Sequence, residues 1–464
     1  MEVRSRDYAA LARAIIENTP DVRKAVSGAT AAFDAARRQA YAEIDSEAWR
    51  RWAEGVKNHV LNHLDRYLEE AETRLLENGA KVHWAGDAQE ARQIVAELAL
   101  ARGVRSVVKG KSMLTEEIDL NPALEERGVQ VYETDLGEYI LQLLDEAPSH
   151  ILGPAIHRSL EDVQALFADR LGTSTDALPD DLAAAARSDL RSRFQEADMG
   201  ISGGNFLVAE TGTLALIENE GNIRLTTSLP RIHVALVGIE KLLPTFGDLA
   251  GFLQLTARAG TGQPIGCFVS LIHGPAREPG DDGPEEVHIV LVDNGRTNVL
   301  ADEHAWETLR CVRCGACLNT CPVYKQTGGH AYGWVYSGPI GAVLDPGLLG
   351  LEQAAPLPFA SSLCGACFEA CPVRIPIPDL LLHWRRAAQE MGLTPVSERI
   401  ALKAFSAMAT HPGVYRQLGR MVPGLAGSAV VRRLPVLSGW TEYRELPEPS
   451  PRRFRDLWSE GIGE

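Results

Sequence analysis

Seven of the eight cysteines in this 464-residue chain fall into two short runs. The first is Cys311, Cys314, Cys317 and Cys321-Pro322; the second is Cys364, Cys367 and Cys371-Pro372. The first run reads C-x2-C-x2-C-x3-C-P, the iron–sulfur ligand spacing of bacterial two-cluster ferredoxins. Thiolates spaced two residues apart in a tight turn can all face one cuboidal cluster. The fourth, followed by a proline that ends the turn, reaches across to the other cluster. The second run repeats the last three positions, and two such centres imply electrons moving through the protein.

In the crossed two-cluster arrangement, Cys311, Cys314, Cys317 and Cys371 hold cluster 1, while Cys321, Cys364 and Cys367 hold cluster 2. Cluster 1 is then a [4Fe–4S] centre. Counting back three residues from Cys364, the place of an eighth ligand falls on Ser361. Cluster 2 is one thiolate short, and the spacing leaves three forms open. These are a [3Fe–4S] centre, a [4Fe–4S] centre with Ser361, water or a partner's residue as fourth ligand, and a labile cluster. Tetrahedral zinc also uses C-x2-C pairs, but a four-cysteine run ending in Cys-Pro, matched by a second run, favours iron–sulfur. Cys267 stands apart and reads as a buried apolar cysteine.

At 45% hydrophobic residues, the chain can bury substantial cores. No stretch approaches eighteen uninterrupted apolar residues, and the N-terminal Met1-Glu-Val-Arg-Ser-Arg-Asp7 has no apolar run behind it. The expectation is a cytoplasmic protein without a transmembrane span or secretory signal, its cysteines serving as thiolate ligands in a reducing compartment. A net charge of −16 argues against a nucleic-acid partner.

Hydrophobic periodicity divides the chain. Residues 1–78 read as an N-terminal helical segment, with Phe33, Ala36, Ala40, Ile44, Trp49, Trp52, Val56, Val60, Leu64, Leu68 and Leu75 on the inward face of one long helix or a helical pair. Residues 79–299 alternate strand and helix signals: strands at Lys81–Ala85, Val104–Val108 and Val129–Glu133, a short run at His150–Gly153, and helices opened by Asp87 and Ser159. That rhythm predicts an α/β domain with a parallel sheet. Closely spaced strands follow at Phe206–Ala209, Thr213–Glu218 and His233–Val237, with Val287–Val292 last. Residues 300–390 carry the clusters, and 391–464 form a helical and irregular C-terminal region with a Pro- and Arg-rich tail from Leu434.

Three further motifs carry chemistry or its appearance. Lys109-Gly110-Lys111-Ser112 lies between a strand and a helix and could hold an anion, but it lacks P-loop spacing. It reads first as a βα turn with solvated lysines. Glu210, between two glycine-bearing turns, could be a nucleophile; fixing its turn is the simpler role. His330, in Gly328-Gly-His-Ala-Tyr-Gly-Trp-Val-Tyr336, could sit near a cluster, although aromatics covering a small core explain the segment more simply.

With these motifs in view, the chain resembles the lactate utilization protein B family. The resemblance rests on Val107-Val-Lys-Gly-Lys-Ser-Met113, Gly200-Ile-Ser-Gly-Gly-Asn-Phe-Leu-Val-Ala-Glu-Thr-Gly-Thr213, both cysteine runs and the Gly328–Tyr336 segment. It implies a sugar-isomerase and coenzyme-A-transferase-like α/β domain followed by an α-helical, ferredoxin-like two-cluster domain. It also implies an electron-carrying role in oxidising L-lactate to pyruvate. The partners it implies are a cysteine-rich iron–sulfur protein and a smaller protein bearing the same α/β domain. The family's seven-cysteine pattern matches the absence of a cysteine at Ser361. The rival readings are an enzyme with acyl- or sugar-directed chemistry in the α/β domain and regulatory clusters, and a redox-sensing module. No dinucleotide fingerprint G-x-G-x-x-G separates a strand from a helix.

Overall fold

The structure is a computed structural model describing residues 3–278, 280–426, 450 and 452–461. Residues 1–388 form one compact unit and 389–464 a second.

Six strands build the main sheet: β1 (Lys81–Ala85), β2 (Ser106–Lys109), β3 (Gln130–Glu133), β4 (Met199–Ser202), β7 (Ile232–Gly238) and β10 (Glu286–Val292). Their spatial order is β1-β10-β7-β4-β2-β3, and every pairing is parallel. All seven residues of β7 are buried, as a strand covered on both faces requires. The chain runs outward from β2 to β3, then returns to the other side of β2 with β4. The sheet therefore reverses direction between β2 and β4, which opens a crevice at the carboxyl ends of those strands.

A second, four-stranded sheet is ordered β8-β5-β6-β9, with β5 (Phe206–Val208), β6 (Thr213–Glu218), β8 (Leu242–Leu243) and β9 (Phe268–Ile272). The β5–β6 and β6–β9 pairs are antiparallel and β5–β8 is parallel. The run at His150–Gly153 is not a strand. Its backbone is tied to its own side chain, since Leu152 N and Gly153 N both donate to His150 Nδ1 at 3.1 Å.

Among the described residues four α-helices precede β1, in place of the expected single helix or pair: Tyr8–Asn18, Pro20–Ala42, Ser46–Asn62 and Leu64–Glu77. Apolar periodicity marks the inward face only in part: Ala40, Val60, Leu64 and Leu75 are buried, and Phe33, Ala36, Ile44, Trp49, Val56 and Leu68 are partly buried. On the third helix the buried positions are Arg50, Ala53, Lys57, Val60 and Leu61, whereas Trp52 is 37% exposed. The face turns by about one residue because charged side chains bind backbone carbonyls of other segments. Arg50 Nε donates to Cys371 O at 2.8 Å and Lys57 Nζ to Glu240 O at 2.5 Å. On the second helix the buried face likewise includes an ion pair, Arg37–Asp34 at 2.7 Å.

In the second unit, helices Val396–Ala409 and Pro412–Ala426 pack together. Most of the expected Pro- and Arg-rich tail lies outside the described residues. Among the described residues no helix is long and apolar enough to cross a membrane.

Candidate functional site

Both cysteine runs share one backbone design. Arg313 (φ 58) and Gly315 (φ 72) lead into the helix Ala316–Thr320, and Leu363 (φ 55) and Gly365 (φ 82) lead into Ala366–Ala370. Left-handed φ at arginine or leucine costs roughly 1–2 kcal/mol, so each turn is held by its surroundings. The likeness extends to hydrogen bonding: Arg313 N donates to Cys311 Sγ at 3.4 Å, and Leu363 N donates to Ser361 Oγ at 3.1 Å. In its own turn Ser361 occupies the position that Cys311 holds in the first.

Folding sorts the seven cysteines into two sets. Cys311, Cys314, Cys317 and Cys371 line one cavity, walled by Ile151, Ile340 and Ile375. Burial pushes the Cys371 thiol up to about 11, with Cys311 adding to the rise. Cys314 and Cys317 are raised further by burial and by the other thiols around that cavity. Cys321, Cys364 and Cys367 form the second set. Burial raises the Cys367 thiol to about 12, with Cys321 and Cys364 contributing, and it raises Cys321 in the same way. Buried thiols resist ionisation, so thiolates here need positive charge beside them, which iron would supply. Among the described residues no three His, Cys, Asp or Glu side chains converge as on a single ion. Four thiols instead surround a space, with backbone donors such as Ile375 N aimed at Cys371 Sγ at 3.4 Å. This donor set fits iron–sulfur clusters.

Cys267 is exposed, against the expectation of burial. It precedes β9, an edge strand with no fully buried residue, so no core reaches it.

The cysteine segments are pinned to the rest of the unit by polar contacts. His150 Nε2 pairs with Asn319 Oδ1 at 3.0 Å, and Tyr324 Oη donates to Ser149 O at 2.6 Å. A Cβ on Gly329 would stand 1.7 Å from Ser149 O, so the Gly328–Tyr336 segment needs glycine there for contact with the α/β region. Tyr332, Trp334 and Tyr336 are buried in the core, while His330 is exposed and bonds Ala147 O at 2.8 Å.

The lysines at the end of β2 and in the turn after it are not solvated. Lys109 is fully buried and pairs with Glu133 at 2.9 Å and Glu116 at 3.0 Å. Lys111 is half-buried, but its Nζ is sealed from solvent without a hydrogen-bond partner. The reason is tertiary: the turn sits under the crevice at the sheet's reversal and is covered by neighbouring loops. Glu210 is exposed, and its Oε2 accepts from Phe246 N at 2.8 Å, which fixes the start of the helix Phe246–Gly260. Of the glycines after β4, a Cβ on Gly203 would meet Ser112 Oγ at 2.6 Å and one on Gly204 would meet Leu214 and Val237. These glycines serve close packing.

The crevice holds a cavity of about 250 Å³ at the carboxyl ends of β2, β4 and β7. Lys111, Lys241 and Arg313 line it, as do Ile151 and Leu152. At its base Arg296 is clamped by Glu117 through two bonds of 2.8 Å and by Glu240 at 2.6 Å. Despite burial, these partners hold Glu117 below the usual carboxylate range and bring Glu240 down to about 2. Tyr336 Oη donates to Glu117 Oε2 at 2.5 Å. Arg313 Nη2 stands 3.6 Å from Glu240 Oε1. No motif marks these residues. The one available signal is an arginine placed between two cluster-spaced cysteines.

A parallel-sheet α/β region joined to cysteine turns of this geometry defines an iron–sulfur protein with an appended helical tail. Comparison with known proteins agrees region by region: residues 68–292 match the LUD domain, 307–375 the 4Fe-4S dicluster domain, and 388–461 the lactate utilisation protein B C-terminal family. Lactate utilization protein B of Shouchella clausii is 44% identical over 94% of this chain and 93% of its own. That of Bacillus subtilis is 41% identical over 95% of this chain and 93% of its own. The chain belongs to the lactate utilization protein B family.

Proposed function

We propose that this protein is the electron-carrying iron–sulfur component of a system that oxidises L-lactate to pyruvate. The observation that carries the reading is the crossing of the cysteine runs: Cys371 from the second run shares a cavity with Cys311, Cys314 and Cys317 from the first. In this reading those four hold a [4Fe–4S] cluster 1, and Cys321, Cys364 and Cys367 hold cluster 2. Ser361 Oγ is the fourth ligand of cluster 2, making it a [4Fe–4S] centre. Support comes from the shared turn geometry, in which Ser361 accepts the hydrogen bond that Cys311 accepts in its own turn. Bound clusters would supply one-electron transfer. The chain's own part is to exclude water with Ile151, Ile340 and Ile375 and to hold the turns through Arg50.

The pattern supports a ferredoxin-like cluster region, and the parallel sheet supports a sugar-isomerase and coenzyme-A-transferase-like α/β region. Its working partners are a cysteine-rich iron–sulfur protein and a smaller protein of the same α/β type, in the cytoplasm. Thiol ligands favour that reducing compartment. The rival acyl- or sugar-directed chemistry lacks support at Glu210, whose carboxylate is engaged by a backbone amide. The test is anaerobic purification with iron and sulfide counts, followed by lactate-dependent dye reduction with and without the partners. The expected result is activity only with the partners present. Full activity from this chain alone contradicts a carrier role.

A further inference from the structure

The cavity at the sheet reversal adjoins the first cysteine set, and Cys311 favours the charged forms of Lys241 and Arg313 on its wall. It lies where ligands bind in open parallel α/β sheets, outside the carboxyl ends of the strands at the point of reversal. One wall is cationic. The Lys241 side chain, at the end of the 3-10 turn Ile239–Lys241 that follows β7, makes no hydrogen bond or ion pair among the described residues. Lys111 Nζ and Arg313 Nη1 are buried without hydrogen-bond partners. Buried donors left unmatched cost roughly 1–3 kcal/mol each, more when charged. Water in the cavity, loss of a proton from the lysines, or a bound anion would each answer these donors.

The acids near these cations are only partly engaged: Glu240 Oε1 and both carboxyl oxygens of Glu138 and Asp345 are buried without hydrogen-bond partners. Glu240 holds Arg296 through Oε2 at 2.6 Å, while its Oε1 stands 3.6 Å from Arg313. Asp345 faces Arg313 too, but burial pushes its carboxyl well up, toward the neutral form. Glu220 accepts from Leu136 N at 3.1 Å.

We infer that this cavity is a binding site for a small monocarboxylate with a short alkyl chain, its carboxylate received by Lys241 with Lys111 and Arg313 beside it. The volume of about 250 Å³ admits a molecule of a few heavy atoms and excludes a dinucleotide. Ile151, Leu152 and Leu236 supply an apolar wall that an inorganic anion would leave unused. Asp135 and Glu220, also in the lining, oppose a multiply charged phosphate. Ile151 lines both this cavity and the one enclosed by Cys311, Cys314, Cys317 and Cys371. A bound carboxylate would therefore lie across one side chain from the first cysteine set. The choice of L-lactate and pyruvate as probes rests on the function proposed above; the site itself does not.

The test is calorimetric titration of the anaerobically purified full-length protein, clusters in place, with L-lactate, pyruvate and inorganic phosphate. No partner or turnover is involved, so this result is independent of the dye-reduction assay that tests the carrier role. The expected result is saturable binding of L-lactate or pyruvate near one per chain, with phosphate neither binding nor competing. Lys241→Met should weaken binding roughly tenfold to a hundredfold while leaving the visible cluster spectrum intact. Leu236→Phe, which fills the cavity without changing charge, should also weaken it. Absence of saturable carboxylate binding overturns the proposal, as does phosphate binding more tightly. So does undiminished affinity in both variants. Should Lys241→Met fail to fold, Leu236→Phe decides alone.

Discussion

The Arg313 guanidinium lies over the ring of Tyr336, 4.4 Å from its centroid. Arg313 belongs to the first cysteine turn and Tyr336 ends the glycine-rich segment between the two runs. Tyr336 in turn bonds Glu117, in a helix of the α/β region, at 2.5 Å. Cysteine turn, intervening segment and α/β region are thus joined by one chain of contacts at the edge of the crevice. A desolvated cation–π contact of this kind contributes about 2 kcal/mol.

Crossed ligation predicts which substitutions act together. Cys311→Ala and Cys371→Ala, sixty positions apart, should each deplete the same centre, removing about half of the iron and sulfide. Cys364→Ala should deplete the other. Paramagnetic resonance of the reduced anaerobic protein separates the two signals. Loss from Cys371→Ala of the signal that Cys364→Ala removes would falsify the crossing.

Ser361→Ala should convert the second centre toward a three-iron form, visible as a new signal in the oxidised protein and a loss of about one iron per chain. Ser361→Cys should keep four irons. An unchanged spectrum and iron count in Ser361→Ala would mean that the serine is no ligand.

Breaking the ion network around Arg296 should be costly. Arg296→Met strands Glu117 and Glu240, both buried, and should lower unfolding stability by about 3–5 kcal/mol. Urea denaturation compared with the parent chain measures this. A loss below about 1 kcal/mol would show that the carboxylates find other partners.

His233 is fully buried, its Nε2 2.8 Å from Ser202 Oγ and its Nδ1 without a partner. Burial, assisted by His288, lowers its pKa from 6.5 to about 3. Between those values the unfolded chain binds the additional proton, so this group's stabilisation is complete above about pH 6.5 and is lost as the pH falls toward 3. The slope is about 1.4 kcal/mol per pH unit. Unfolding free energies at about pH 5.5 and 4.5 should differ by about that amount through His233, and His233→Gln should flatten the dependence. Equal slopes in both proteins would rule out a neutral buried histidine.

The cysteine turns were legible from spacing alone because cluster ligation imposes short, local distances. The seven positions and the place of Ser361 all lie within two stretches of about ten residues; the crossing, which joins residues sixty positions apart, remains a proposal. The parallel sheet was legible too, from strand signals such as Ile232–Gly238 alternating with helices. The inward face of the N-terminal helices was legible only in part, Ala40, Val60, Leu64 and Leu75 being buried and Trp52 exposed. Apolar periodicity assumes that burial follows hydrophobicity, and Arg50 and Lys57 are buried because carbonyls of Cys371 and Glu240 receive them. The same limit applies at Lys109 and Lys111, where a lysine-bearing turn reads as solvated until the loops that cover it are in place.

By itself, then, the sequence determined that this chain carries cysteines spaced for iron–sulfur clusters behind an α/β domain, because those features are written in local spacing and period. Only the tertiary structure decided that Arg313, Lys241 and Lys111 surround one crevice beside the first cysteine set. They come from three separated loops, and what brings them together is the return of β4 across β2 and the packing of the cysteine turns over that edge. No local pattern encodes such a meeting of distant charges.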